Sequence, residues 1–342
     1  MGTNGRRIRI KDVATAAGVS VTTVSHALNA KGRLPEETRD HVRRIAEQMG
    51  YRPSLAARNL GGGKTGLLGL LISQPKGSAV RFSDFAYFTQ LMMAASTSAM
   101  KAGYALVLTA AESGLPGGAG LPLDGALVID PVADDPMVQE LIDSAIPVVT
   151  TGRILGAKEN RPWVDNDHAA GARAVLDHLA RRGARRIALM TNPAVMSYTV
   201  DVEDTYRAWC AEHSIKPLVS RVGADLTESA GYAAARNLLA RSQPPDAIYA
   251  TYDRVGLGAL LAARAADIAV PDDLLLAVTA TGSKSEPTRP SLTGLSLYAD
   301  QIGIRAAELL IELVEERTPP ALHITVPTRL VPRTSTRRPV AH

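Results

Sequence analysis

Apolar residues recur with two different periods along the chain, and the change of period divides the chain into two parts. Between residues 10 and 51 they return every three or four positions, which predicts three short helices. The third helix is predicted to begin at Pro35, because the fixed φ of proline suits a first helical position. A brief helix-compatible run at 53–60 is followed by Gly61–Gly63, which cannot hold a helix, so the sequence predicts a linker there.

Beyond residue 65, apolar segments of strand length alternate with amphipathic helices. Strands are predicted at Leu67–Ile72, Ala105–Thr109, Gly125–Ile129, Pro147–Thr151, Ile187–Thr191, Ala247–Thr251 and Leu274–Thr279. Helices are predicted at Phe85–Ala102, Pro136–Ser144, Ala169–Arg182, Val202–His213, Ser229–Arg241 and Val255–Ala266. This alternation is typical of parallel sheets covered by helices on both faces. Roughly 270 residues exceed one ordinary sheet, so two α/β lobes are expected.

Composition narrows the class of protein. The 342 residues are 46% hydrophobic, which is enough for the cores of two or three domains. The single cysteine, Cys210, excludes a disulfide framework and a multi-cysteine metal site. The sequence contains neither an apolar run of membrane-spanning length nor a secretory signal, which predicts a cytoplasmic protein. Neither the histidine spacing nor any nucleophile motif indicates an enzyme, a metal site or a cofactor.

Charge is distributed unevenly between the two parts. Residues 1–64 hold 12 Lys and Arg against 5 Asp and Glu, whereas the remainder is slightly acidic and the whole chain has a net charge of +4. A module that binds a polyanion such as nucleic acid is expected to concentrate basic residues in this way. A solvated basic surface would show the same asymmetry, so charge alone leaves the two interpretations open.

The spacing of small residues in the basic part predicts a helix-turn-helix. Ala14 is small where two helices must cross closely, Gly18 permits the turn, and Val24 packs the second helix on the first. Ser20 is a favourable N-cap for that second helix. An unrelated helical hairpin could share this spacing.

Several motifs together point to one family. They are Lys11-Asp-Val-Ala14, Gly18-Val-Ser20, Thr23-Val-Ser25, Asn29, Glu37-Thr-Arg39, Gly50-Tyr51 and the segment from Pro53 to Leu60. With these motifs in register, residues 8–60 resemble the headpiece of the lactose-repressor (LacI/GalR) family of bacterial transcription regulators, and the α/β remainder follows the family pattern to Arg337. Leu34 departs from the pattern, because a polar cap usually precedes the proline of the third helix.

The resemblance implies a domain organisation. It places an all-α helix-turn-helix headpiece at 1–52, a hinge helix and linker at 53–65, and an effector-binding and dimerisation core at 66–342. The core is expected to be a two-lobed α/β structure like that of periplasmic binding proteins, with parallel sheets flanked by helices. Its N-lobe is expected at about 66–163 and 295–324, and its C-lobe at about 164–294 and 325–338.

The resemblance also assigns roles in DNA binding. Val21, Thr22 and His26 would read base edges in the major groove, Val21 through a thymine methyl and His26 by donating to a guanine. Phosphate contacts are implied for Ser20, Thr23, Ser25, Asn29 and Arg33. For Thr23 and Ser25, helix capping or a simple surface position is an alternative.

The hinge helix is too short to be stable alone, so it would fold when two copies pair on DNA. The resemblance implies that Leu60 inserts into the minor groove, that Ala57 lets the paired helices approach and that Arg58 contacts the backbone. Packing of Leu60 under the linker is the alternative. A homodimer on a palindromic double-stranded operator is therefore expected. The sequence shows no C-terminal heptad repeat of the kind that would indicate a tetramer.

Polar residues that follow the predicted strands form a candidate effector site, because ligands of parallel sheets bind at the carboxyl ends of strands. They are Ser73, Asp130, Arg153, Asp165, Tyr198, Tyr252, Asp253 and Thr281. Three positions depart from sugar-responsive members of the family: Val202 replaces a clamping arginine, Tyr252 an asparagine, and Thr281 an acidic residue. The departures favour a flatter or less polar ligand, or an atypical carbohydrate, and leave open that no small ligand binds.

These observations predict a DNA-binding transcription regulator, a repressor, whose operator affinity changes with a small-molecule effector, either a carbohydrate or another metabolite. A solute-binding protein that uses the same two lobes for transport is the alternative. The helix-turn-helix and the lack of an export signal count against that alternative.

Overall fold

The structure, a computed structural model, describes residues 8–28, 34–51, 64–73, 85–109, 122–156, 161–223, 225–279 and 288–337. The chain divides into two compact units, the headpiece and the core, with the division near residue 67. The predicted hinge helix at 53–60 lies outside the described residues. So do six predicted site residues: Asn29, Arg33, Ala57, Arg58, Leu60 and Thr281.

The described part of the headpiece contains three helices, α1 (Ile10–Ala17), α2 (Val21–Leu28) and α3 (Glu36–Gln48). One side chain from each helix, Val13, Val24 and Val42, is completely buried in a shared core. Gly18 ends α1 with a φ of 66°, a left-handed conformation that glycine adopts without strain. Pro35 is the N-cap of α3, so the helix begins at Glu36, one residue later than the sequence predicted.

The core begins with a six-stranded sheet. Its strands are β1 (Leu67–Ile72), β2 (Ala105–Thr109), β3 (Gly125–Ile129), β4 (Val148–Thr151), β5 (Trp163–Asn166) and β11 (His323–Val326). They lie in the order β11-β5-β4-β3-β1-β2, and the pairs from β1 to β11 are parallel. Its helices are α4 (Ala86–Lys101), α5 (Pro136–Asp143) and α10 (Ala299–Val314), and α10 packs on β3, β4 and β5. This sheet and these helices form the N-lobe.

A second six-stranded sheet forms the C-lobe. Its strands are β6 (Ile187–Thr191), β7 (Leu218–Arg221), β8 (Ala247–Ala250), β9 (Leu275–Thr279), β10 (Thr293–Ser296) and β12 (Arg329–Val331), in the order β12-β10-β9-β8-β6-β7. Only β12 runs antiparallel to its neighbour in this sheet. Its helices are α6 (His168–Arg181), α7 (Ser197–Glu212), α8 (Glu228–Leu239) and α9 (Asp253–Ala265), followed by a 3-10 turn at Thr334–Thr336.

The chain passes between the two lobes three times. Judged by sheet membership, the passages follow Asn166, Ser296 and Val326. The sequence placed them two or three residues earlier, because each flanking strand is only three or four residues long and lacks a continuous apolar pattern. Within the described part of the chain, no helix has the length and apolar content needed to cross a bilayer.

Candidate nucleic-acid interface and candidate ligand cleft

The start of α2 presents a small exposed surface of mixed chemistry. Val21 is 39% exposed, although it is a large apolar side chain, and Thr22 beside it is also exposed. His26, one turn further along α2, is half-buried. An exposed valine beside a hydroxyl can contact a thymine methyl while the threonine donates or accepts a hydrogen bond.

Ser20 holds this end of α2 in place. Its Oγ accepts a hydrogen bond of 3.0 Å from the backbone N–H of Thr23, as an N-cap does. The two hydroxyl oxygens of Ser20 and Thr23 lie 2.8 Å apart. The Thr23 hydroxyl therefore takes part in the cap, which is the alternative role that the sequence left open for it. Ser25 is half-buried on the same helix.

A cavity of about 50 Å³ opens between the lobes at the carboxyl ends of the strands. Of the residues predicted for the effector site, Asp130, Tyr198, Tyr252 and Asp253 line it. The other lining residues are Phe85, Ala86, Tyr87, Phe88, His168, Thr251, Thr279 and Leu297. Both lobes therefore contribute, the N-lobe through α4 and β3 and the C-lobe through α6, α7, α9 and the ends of β8 and β9.

Aromatic rings form much of the cavity wall. The ring centroids of Tyr198 and Tyr252 lie 5.8 Å apart with an interplanar angle of 88°, and those of Phe85 and Tyr252 lie 6.1 Å apart at 71°. Phe85 comes from the N-lobe and both tyrosines from the C-lobe, so the edge-to-face contact between Phe85 and Tyr252 joins the lobes. Burial, the largest cause, raises the pKa of both Tyr198 and Tyr252, so both remain neutral donors and acceptors.

Asp130 stands directly after β3 with a φ of 48°, a conformation that a non-glycine residue rarely adopts. Burial is the main cause that raises the pKa of its carboxyl to about 7, and the nearby carboxylate of Asp165 adds to it, while His168 opposes it. Among the described residues, no hydrogen bond or ion pair is made by its side chain. Asp130 is thus a half-buried carboxylate that faces the cavity without a protein partner.

Asp165, the next carboxylate, is fully engaged. It is buried at the end of β5, where its Oδ1 lies 2.7 Å from His168 Nε2 and its Oδ2 lies 3.2 Å from Arg153 Nε. Burial acts to raise its pKa, but the hydrogen bond and charge of His168 outweigh burial and lower it. The Arg153 guanidinium also donates to Asp201 on α7 of the C-lobe. Arg153 and Asp165 therefore belong to an ion-pair network behind the cavity rather than to its lining.

One expectation about the site was wrong. Ser73 does not line the cavity, because it is buried and its hydroxyl donates to the carboxylate of Asp135. Val202, which the resemblance placed at the position of a clamping arginine, is 1% exposed and packs in the C-lobe core. It lies on the inner side of α7, so its apolar character serves the core and not a ligand.

Of the eight lining residues that were not predicted, four carry aromatic rings. Phe85, Tyr87 and Phe88 begin α4 and have the composition of ordinary core residues, so only their place at a helix start could have singled them out. His168 directly follows the acidic segment at the lobe passage. Its Nδ1 is buried without a hydrogen-bond partner in the described part of the chain, and so is Thr251 Oγ1. Buried polar atoms rarely stay unpaired, so both indicate where a ligand atom would bind.

Two family descriptions match the chain. Residues 9–54 match bacterial regulatory proteins of the lacI family, and residues 176–336 match a periplasmic binding protein-like domain. The transcriptional regulator CelR of Thermobifida fusca is 30% identical over 340 residues, which cover 96% of this chain and 98% of that protein. The ribose operon repressor of Halalkalibacterium halodurans is 28% identical over 335 residues, covering 96% and 97%.

Two solved structures have folds similar to that of this chain. A CelR–cellobiose complex superposes with a TM-score of 0.71 at 28% identity, covering 96% of this chain and all of that one. The lac repressor dimer bound to operator and the anti-inducer ONPF gives a TM-score of 0.78 at 21% identity, covering 97% and 99%. The second likeness shows that the fold is shared.

Proposed function

Because this chain belongs to the LacI family of bacterial regulatory proteins, we propose that it is a repressor that binds a palindromic operator as a homodimer. It is a sequence-specific DNA-binding transcription regulator with an effector-binding core. The observation that carries the proposal is the exposed start of α2, where an apolar side chain and a hydroxyl stand clear of a small, well-packed headpiece core. A regulator of this kind acts on the chromosome, so we place it in the cytoplasm.

The contacts with DNA follow the chemistry of α2. Val21, Thr22 and His26 read base edges in the major groove, while Ser20 and Ser25 contact phosphates. Five further residues, which lie outside the described part of the chain, are also proposed to take part in DNA binding. Asn29, Arg33 and Arg58 contact the DNA backbone, Ala57 permits close pairing of two hinge helices, and Leu60 enters the minor groove.

The cavity between the lobes binds a small-molecule effector. Its carboxylates, aromatic rings and two unpaired buried polar atoms are the usual elements of a ligand site. The CelR–cellobiose complex supports a small ligand for the same fold. An effector changes operator affinity only by the difference in its affinity for the two lobe arrangements, typically about 1–3 kcal/mol.

The other classes of function are less well supported. A transport protein with the same core would have no use for the headpiece, whose family match begins at residue 9. The relatives are named as transcriptional regulators rather than enzymes. Regulation of transcription is therefore the function that accounts for both the headpiece and the core.

Selection of bound sequences from random DNA tests the proposal. The wild-type protein is expected to enrich an approximately palindromic site. His26→Ala is expected to relax the preference at one symmetric pair of base positions, because a base contact that discriminates contributes about 1–3 kcal/mol.

His41→Ala is the matched control, since His41 is an exposed histidine on α3 rather than on α2. It is expected to leave the selected site unchanged. Enrichment of no symmetric site by the wild type, or an equal change in both variants, would contradict the assignment of α2 as the reading helix.

A further inference from the structure

The carboxylate of Asp130 faces the cavity, and its side chain makes no hydrogen bond or ion pair among the described residues. No Lys or Arg is among the described lining residues. Arg153, the guanidinium of the nearby network, is engaged with Asp165 and Asp201. Asp130 is therefore an anionic group that a ligand in the cavity can meet.

His168 also lines the cavity. Its Nε2 lies 2.7 Å from Oδ1 of Asp165, and its Nδ1 is buried without a hydrogen-bond partner among the described residues. The ring lies against that of Tyr198, with centroids 4.9 Å apart. Nδ1 is therefore a place where a polar atom of a ligand can bind.

Aromatic residues line the same cavity as the carboxylate of Asp130. Tyr87 and Tyr252 are close enough to Asp130 for its charge to raise the pKa of each, after the larger effect of burial. The ring of Phe85 already accepts a cation, because the guanidinium carbon of Arg254 lies 5.9 Å from its centroid. A carboxylate amid aromatic rings is the arrangement that recognises an organic cation, through charge on one side and ring quadrupoles on the others.

We propose that the effector of this regulator carries a positively charged amine or quaternary ammonium group, held between Asp130 and the rings of Tyr87 and Tyr252. This inference rests on the proposed function, because it names the class of molecule that the cavity binds. A neutral sugar is the competing ligand class, and the experiment separates the two.

The experiment compares matched pairs of probes on the full-length protein by isothermal titration calorimetry. Choline is paired with dimethylbutanol, its uncharged isostere, and tyramine with tyrosol, in which a hydroxyl replaces the amine. The charged member is expected to bind at least about tenfold more tightly in at least one pair, the ratio that about 1.4 kcal/mol of charge recognition produces. Equal binding within both pairs, or binding of neither cation, would overturn the inference.

Variants then locate the charge. Asp130→Asn keeps the shape of the side chain and is expected to abolish the advantage of the charged probe. Tyr252→Leu is expected to weaken binding of the charged probe about tenfold, because it removes a ring face. Asp204→Asn, which removes an exposed carboxylate from α7, is the matched control and should preserve it. A charge advantage that survives Asp130→Asn in a protein with native circular dichroism would contradict the assignment.

The dependence on pH is a second readout. Asp130 must be ionised to bind a cation, and its pKa is raised to about 7 in the free protein by burial and by Asp165. The groups that face it are Asp165, His168, Tyr87 and Tyr252. Affinity for the charged probe is therefore expected to rise about tenfold between pH 6 and pH 8. A flat profile for the charged probe would contradict the proposal.

Cellobiose is included to separate this inference from the proposed function. If cellobiose binds and Tyr252→Leu abolishes its binding, while neither cation binds, the cavity is an effector site for a neutral ligand and only the cationic class is wrong. If the random-DNA selection yields no operator, the proposed function itself fails.

Discussion

Asp130 illustrates how a single residue can be poor for the fold and useful for the site. Its φ of 48° is unfavourable for a residue with a Cβ, and its carboxylate is half-buried without a partner in the described part of the chain. Both features raise the free energy of the folded state, and the packing of β3 and β4 around the residue must offset that rise. They also leave an ionisable group free to meet a ligand.

Removal of this charge is expected to stabilise the ligand-free protein in a pH-dependent way. A carboxyl whose pKa is raised on folding contributes most to stability below its unfolded pKa, and that contribution is lost as pH rises through the folded value. Asp130→Asn should therefore raise the thermal unfolding temperature clearly at pH 8 and little at pH 5. The expected gain at pH 8 is on the order of 1–3 kcal/mol, discounted for partial exposure.

Thermal unfolding measured at the two pH values checks this expectation, and Asp204→Asn again serves as the control. An equal effect of Asp130→Asn at both pH values would show that the carboxylate is not buried enough to titrate abnormally.

Site residues could be predicted from the sequence where a polar side chain follows a buried strand. Asp130, Tyr252 and Asp253 satisfy that rule, and the cavity includes all three. Phe85 and Tyr87 do not, because an aromatic ring at a helix start has the same local pattern whether it packs in a core or against a ligand. Ser73 satisfies the rule, but its hydroxyl donates a hydrogen bond to Asp135 instead of facing the cavity. The two residues are 62 positions apart, so no local sequence pattern predicts this contact.

At the scale of elements, the closest helix crossing in the core depends on two glycines. A Cβ on Gly258 of α9 would lie 2.1 Å from the carbonyl oxygen of Glu228, and one on Gly231 of α8 would lie 2.4 Å from that of Val255. Both are contacts with backbone atoms, which cannot rotate away. The two helices touch backbone to backbone, and this sets the distance between them.

Gly258→Ala is therefore expected to destabilise the protein, although alanine is the better helix former by about 1 kcal/mol. Separating two packed helices costs more than that gain, so we expect a net loss of roughly 1–3 kcal/mol. Urea unfolding followed by circular dichroism measures the change.

Leu261→Ala, at a side chain of α9 that is 44% exposed, is the control and should have a smaller effect. A neutral or stabilising Gly258→Ala would mean that α8 and α9 can move apart freely.

The elements that the sequence predicted are those with long apolar patterns. Strands β1, β2, β3 and β6 begin and end at the predicted residues, because each is a continuous apolar run flanked by turn residues. The sequence assignments miss β5, β7, β10, β11 and β12, which have only three or four residues and contain polar side chains. Helix α10 was also not assigned, although its buried residues recur at helical spacing.

At the scale of the whole molecule, the ion pair between Arg153 and Asp201 links the two lobes directly. Arg153 follows β4 of the N-lobe, and its guanidinium binds both Asp165 and Asp201, the latter on α7 of the C-lobe. Burial raises the pKa of Asp201, while the charge of Arg153 opposes that rise. The pair therefore favours an arrangement in which the lobes are close together at this edge of the cavity.

Arg153→Met, which keeps much of the side-chain volume, is expected to broaden the distribution of distances between the lobes toward larger values. Spin labels on cysteines introduced at exposed Glu140 and Arg236 would report it, since the native Cys210 is buried. Double electron–electron resonance on the ligand-free protein is the measurement.

Arg173→Met is the matched control, because Arg173 forms a two-pronged ion pair with Glu212 inside the C-lobe alone. Identical distance distributions for the wild type and Arg153→Met would show that the lobes are held by packing and not by this ion pair.

The three passages between the lobes also bear on the order in which the protein is completed during synthesis. When the ribosome has added Ser296, every strand of the second sheet except β12 has been made, but the first sheet still lacks β11 and α10. Leu310 and Val314 of α10 cover Gly125 on β3, so that face stays open to water until the chain is nearly finished. The half of the core that is translated first is thus sealed only after most of the other half has been made, and a nascent chain must be shielded from self-association over that interval.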